Sequence, residues 1–359
     1  MIRIFGHMDK KILNDLAMFG CRAAIFLASI SPALGSVSDD LRFEESDFMK
    51  ATSYRRPDKL ATANLAANGA LSPVNVAWDR THLGKWFIEE QRYGADAVAG
   101  GIAKNDTSAI DRGLLILHWG FSQQQPDGSF ACPDAFHSTS FFVEAAAHSL
   151  LLLNESPFAA QYAGETNWIS SRLLKAALWM TLPDVQAKGK RSNAPYTHRR
   201  YLVAAALGET GVLASNRALV EDSKLYALEG IALQDPSGFN PEKGGYDCSY
   251  HAVGLGYAER YYDLVAEGEL KSQLYGMLQK ANAWLSTRVR PDGTLDPEGN
   301  TRTGADQEKS RNGVVKTVNY GWTYRSFYRW SLISGDAAFA RLADLVFAGE
   351  AIYKRQIGK

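Results

Sequence analysis

Two short segments concentrate residue types that can move protons and hold anions. The first runs Asn240-Pro241-Glu242-Lys243-Gly244-Gly245-Tyr246-Asp247-Cys248-Ser249-Tyr250-His251. Its paired glycines permit backbone angles closed to other residues. Asp247 or Ser249 is suited to cap a helix that begins here. Tyr246, Tyr250 and His251 would then surround a helix N-terminus, where the macrodipole favours a negative ligand. The second segment is Asn193-Ala194-Pro195-Tyr196-Thr197-His198-Arg199-Arg200-Tyr201, also at the start of a predicted helix. Histidine titrates near neutrality and can act as a base, while guanidinium groups beside it can grip a carboxylate. A solvated basic face and a well-capped aromatic loop are the structural alternatives for the two segments.

Three further segments offer polar groups. Gly299-Asn300-Thr301-Arg302-Thr303-Gly304 lies in an irregular stretch, and Asn319-Tyr320-Gly321-Trp322-Thr323-Tyr324-Arg325 leads into a late helix. Ala131-Cys132-Pro133-Asp134-Ala135-Phe136-His137-Ser138 leads into a very apolar helix, with His118-Trp119 ending the helix before it. The chain has no His-Glu-x-x-His, Cys-x-x-Cys or Gly-x-Ser-x-Gly sequence, so no metal ligand set, cofactor site or serine nucleophile is expected. Asp127, Asp134, Glu144, Glu242 and Asp247 could supply the two carboxylates of a glycoside hydrolase.

The elements that must position these groups read as helices. Apolar residues recur at helical spacing over 76–104, 107–123, 138–153, 156–163, 165–182, 197–214, 216–234, 249–267, 269–289, 319–334 and 336–354, and no run alternates like a strand. Three connectors share one pattern: Pro126-Asp127-Gly128-Ser129-Phe130, Pro236-Ser237-Gly238-Phe239 and Pro291-Asp292-Gly293-Thr294-Leu295. A turn type recurring after alternate helices implies repeated helix pairs. The expected fold is therefore all-α, an (α/α) toroid or incomplete barrel of six or seven helix pairs around a central cleft. The polar stretch Asp292–Val318 breaks this rhythm and is expected to cover or line the cleft.

The chain has 359 residues, 46% hydrophobic, with 39 basic and 39 acidic residues, a balance that gives no general attraction to nucleic acid. Its aromatic fraction of 11% suits a core and also sugar platforms. Residues 1–35 read as an export signal: Lys10 and Lys11, an apolar run Ala23–Ile30, then small residues before Ser36. That run is too short for stable membrane insertion. The mature part, 36–359, reads as one domain in the periplasm or outside the cell. Cys21 falls in the signal, so Cys132 and Cys248 remain and could pair there.

The Asn193–His198 segment, the Lys243–His251 segment and the Arg302 loop together resemble the (α/α)-toroid polysaccharide lyases, in particular those acting on alginate or glucuronan-like polyuronates, over roughly residues 76–334. The resemblance implies β-elimination at a uronic acid in an anionic polysaccharide. It implies His198 as base and Tyr250 as acid, with His251 and Tyr246 as their alternates. Arg302, Arg199 or Lys243 would neutralise the substrate carboxylate with help from Asn193, and Trp119, His137, Asn319, Tyr320 and Arg325 would line the cleft. The chain departs from the family pattern in lacking an adjacent Asn-His pair and in having Lys243 where an Arg is expected. A hydrolase on the same fold, or a non-catalytic glycan-binding protein, would use the same cleft differently.

Overall fold

Helical periodicity becomes fourteen helices among the described residues. The computed structural model describes residues 37–52, 65–71, 87–304, 308–309 and 313–358. The expected export segment, Cys21 and the helical reading of 76–86 lie outside them. The helices are α1 (Val37–Glu44), α2 (Asp47–Thr52), α3 (Phe87–Gln91), α4 (Tyr93–Lys104), α5 (Thr107–Ser122), α6 (Ala135–Glu155) and α7 (Ala159–Met180). They continue as α8 (Pro183–Asn193), α9 (His198–Leu213), α10 (Arg217–Ala232), α11 (Cys248–Leu264), α12 (Gly268–Ser286), α13 (Tyr320–Ser334) and α14 (Ala337–Gln356). Isolated bridges are the sole β-pairings among the described residues. Gly35–Lys359 form one compact unit.

Among the described residues, five helices each pack on the long helix paired with them along the chain: α4–α5, α6–α7, α9–α10, α11–α12 and α13–α14. Their first members also pack on one another in succession, α4 on α6, α6 on α9, α9 on α11 and α11 on α13, so they form an inner row. The second members lie outside it. Inner helices must be buried on nearly every face, which is why α6 is buried without a break from Phe136 to Ser140 and from Phe142 to Leu153, and α9 from Tyr201 to Gly211. Gly254 lets α11 approach α9 closely, since a Cβ there would lie 3.2 Å from the Cα of His198. The short helix α1 packs on α4, α6 and α11, and its Asp40 reaches Arg329 of α13, so it lies across four inner helices.

The recurring turns do a shared job. Gly128, Gly238 and Gly293 all have positive φ, and a Cβ on each would strike a backbone carbonyl of the next outer helix: Lys175 of α7, Lys280 of α12 and Leu345 of α14. Gln124 and Gln234 make matching bonds, each donating to the turn glycine's carbonyl and to a carbonyl of that outer helix. A fourth copy at Asn68-Gly69, which docks on Leu115 of α5, lacks the proline that marks the others.

Three sequence expectations change. Residues 156–163 and 165–182 are one helix, α7, because Gly164 faces open space and does not interrupt it. The polar helix α8, opened by Pro183, carried no apolar period to announce it. Cys132 and Cys248 are both free thiols: Cys248 is buried, its nitrogen bonds the Asn300 side chain, and its sulfur accepts from Asn300 Nδ2 at 3.2 Å.

Candidate active site

Two segments distant in sequence meet at the starts of α9 and α11. The strip Pro195–Thr197 docks on Pro241–Lys243: Thr197 N and Oγ1 donate to the Pro241 carbonyl, Lys243 N donates to the Pro195 carbonyl, and Tyr196 bridges Glu242. This docking drives Glu242 under the first turn of α9. Its Oε1 accepts from the backbone N of His198 at 3.0 Å and faces His198 Nδ1 at 2.8 Å.

The Arg302 loop is stapled over the same point by Asp247. One oxygen of Asp247 caps α11 at Tyr250 N, while the other accepts from the backbone N of Arg302 at 2.9 Å and of Thr303 at 2.7 Å. Thus held, Arg302 donates from Nη1 to Glu242 Oε2 at 3.2 Å and from Nε to Glu308 Oε2 at 2.7 Å. Its guanidinium covers the Tyr250 ring at 3.4 Å. The Tyr250 hydroxyl accepts from Lys316 Nζ at 2.9 Å, and the His198 and Tyr250 rings lie 5.0 Å apart.

His198, Tyr250, Arg302, Glu308 and Lys316 line a cleft of about 560 Å³. Its charged lining is Arg92, Arg199, Arg302, Lys309 and Lys316 against Glu89 and Glu308. Burial disfavours a charged His198 and, despite Glu242, the nearby Arg302 and Arg199 help keep its pKa below the ordinary value. Burial works to raise Glu242, yet the bonds from His198 and the charge of Arg302 outweigh it and keep this carboxylate ionised. A neutral imidazole whose Nδ1–H donates to Glu242 has its lone pair on Nε2, and Nε2 makes no hydrogen bond among the described residues. Burial also works to raise Glu308, but Arg302 and Lys316 hold it down at about 2.

The structure gathers some expected site residues and separates others. His198, Tyr250, Arg302, Arg199, His137 and Asn319 line the cleft. Asn193 stands behind it, buried, with its Oδ1 accepting from Arg199 Nη1 at 3.0 Å, so it orients the arginine. Lys243 lies 3.5 Å from Glu308, at the back of the Arg302 cluster. His251 does not reach the cleft. It is fully buried, its Nδ1 accepts from Asn240 N, its Nε2 bonds the Ala281 carbonyl, and burial lowers it to about 4. Tyr246 packs between Phe239 and Trp284 and donates to the Glu298 carbonyl. Trp119 is buried edge-on to Phe87, and Tyr320 stacks near Tyr353 and accepts from Leu295 N. Arg325 lines a smaller inner chamber.

Sequence reasoning passed over Glu308, Lys316, Arg92 and Tyr257, named Trp322 only within the segment leading into a late helix, and weighed Glu242 only as a hydrolase carboxylate. The one available signal was the abundance of charge in the polar stretch 292–318. Asp40, Glu44 and His148 offer ligand atoms within 4.8 Å of one another, but Arg329 pairs with both carboxylates and supplies the positive charge there. No protein-family model matches this chain, and neither does any curated protein.

Proposed function

We propose that the chain is a polysaccharide lyase that cleaves a uronic-acid-containing polysaccharide, of alginate or glucuronan type, by β-elimination. The observation that carries this reading is the His198–Glu242 dyad facing Tyr250 within a cationic cleft. The inner and outer rows of helix pairs support the finer reading of the fold as an (α/α) toroid. The composition of residues 1–35 supports export to the periplasm or beyond.

The chemistry follows from the substrate. The proton at C5 of a uronate is weakly acidic, because removing it places further negative charge on the neighbouring carboxylate. Arg302, Arg199 and Lys316 stand where they can neutralise that charge as it develops. His198 Nε2 takes the proton. The C5–H electron pair forms the C4–C5 double bond, and the C4–O4 bond breaks. Tyr250 gives its phenolic proton to the departing O4, while its oxygen already accepts from Lys316. Glu242 fixes the tautomer of His198 and stabilises the imidazolium that forms.

The carboxylates of a hydrolase are otherwise engaged. Asp247 is a buried staple, Asp127 accepts within its turn, and Glu144 pairs with Arg260. Asp134 lies 3.8 Å from Arg199, and Glu308 is neutralised by Arg302, Lys316 and Lys243. His198→Ala and Tyr250→Phe are each expected to lower the appearance of unsaturated uronate by about 10²–10⁴-fold with the fold intact. Near-normal turnover in both folded variants would overturn the reading.

A further inference from the structure

The cleft does not end at Tyr250. Arg92, Tyr257, Asn319 and Trp322 line it and also line a second, inner chamber of about 150 Å³. The chamber lies among the inner helices α4, α6, α11 and α13, and Glu44 of α1 lines it from the helix that lies across them. That helix is locked in place: Asp40 is buried between Arg329 of α13 and His148 of α6. A chain threading the cleft toward the chamber therefore runs toward α1.

The two spaces differ in chemistry. The outer cleft is predominantly cationic, as a carboxylate requires. In the chamber Arg92, Arg260 and Arg325 are matched by Glu44, Asp96 and Glu144. A terminal uronate carries several hydroxyls, which both donate and accept, beside its one carboxylate, so a wall offering both guanidinium and carboxylate groups can hold it. Trp322 stands between the spaces, its ring against Tyr257 at 5.2 Å, and Gly256 lies so close beneath it that any side chain would collide.

We propose that α1 closes the far side of this chamber and that the chamber receives the terminal sugar of the chain, so that the enzyme removes units from a chain end and does not cut internally. The proposal rests on the lyase reading above for the bond broken, but the chamber's binding of a chain end can be read without it. Ala145 of α6 and Ala99 of α4 line the chamber, and larger side chains there would fill it without touching His198, Tyr250 or Arg302.

The test has two arms. On a long polyuronate, wild type should release one small unsaturated product from the earliest times while the mean chain length falls slowly. Ala145→Leu should lower kcat/KM on a tetrauronate at least tenfold, and Ala99→Val serves if the first variant does not fold. Early products of mixed size with a rapid fall in viscosity, or wild-type kinetics in the folded variants, would overturn the proposal. Should no polyuronate yield unsaturated product, the lyase reading fails. Calorimetric titration with a saturated tetrauronate then decides the chamber alone: at least tenfold weaker binding by Ala145→Leu supports it, and equal or absent binding by both proteins overturns it.

Discussion

Replacing Glu242 by Gln changes one oxygen to an amide and tests the dyad at its root. Glu242 is fully buried and accepts on both sides, from His198 N and Nδ1 through Oε1 and from Arg302 Nη1 through Oε2. A glutamine can satisfy only one side. If its oxygen faces His198, its NH₂ group confronts the Arg302 donor. If its oxygen faces Arg302, the NH₂ group confronts Nδ1, the imidazole must carry its proton on Nε2, and the lone pair proposed to take the C5 proton is lost. Removing one partner of a buried ion pair costs about 3–5 kcal/mol, and the low end applies because Arg302 keeps Glu308 at 2.7 Å. The expected result is a folded protein with a lower melting temperature and turnover reduced by about 10²–10⁴-fold. Initial rates at saturating polyuronate, with a thermal melt on the same sample, read both quantities. Turnover within a factor of about three of wild type, less than the tenfold change that 1.4 kcal/mol represents, would refute the role given to the dyad.

Other consequences are open to simple measurement. Lys316→Ala removes the donor to the Tyr250 hydroxyl and one partner of Glu308, and should lower kcat more than it raises KM; an unchanged kcat would contradict the role proposed for the Lys316–Tyr250 pair. Burial pushes Glu259 up to about 8 and Asp263 up to about 7, so near neutrality the folded chain holds protons that the unfolded chain has released. The unfolded state then binds fewer protons, and stability must fall as pH rises from about 7 to 8. Below the ordinary histidine range the neutral, buried His251 acts in the opposite sense, so the fall is cleanest above it; Glu259→Gln should flatten it, which melts across that interval would show. Gly256→Ala places a Cβ 2.4 Å from the Trp322 ring and should cost about 1–3 kcal/mol, measured by denaturant unfolding. Cys132 and Cys248 should both react with a thiol reagent after unfolding without reductant, with Cys248 protected in the native state by burial that raises its thiol to about 12.

Much of the helix pattern was legible because inner and outer helices carry their burial in their apolar spacing. The α6 segment read as apolar on most sides, and it is one of the inner helices. The Pro-x-Gly turns were legible because a positive φ at Gly128, Gly238 and Gly293 demands glycine. The Asn68-Gly69 copy escaped, since nothing in composition shows that its Cβ would strike Leu115. At the site, His198, Arg199, Tyr250 and Arg302 stood out by type. Their order in space did not: the sequence neighbours Tyr250 and His251 point to different places, because successive helical residues turn about 100° apart. Thus Tyr250 faces the cleft while His251 enters the core against Ala281. Glu242 looked like a candidate acid, and only the pairing of Pro195–Thr197 with Pro241–Lys243 reveals it as the support of His198.

The most direct test of the central claim is the ultraviolet absorbance of purified protein incubated with alginate blocks of each uronate, glucuronan, pectate and glycosaminoglycans, with proton NMR of any product. The account predicts growing absorbance on at least one polyuronate and a vinylic H4 signal at the new non-reducing end. New reducing ends with flat absorbance and no vinylic signal would contradict it and point to hydrolysis.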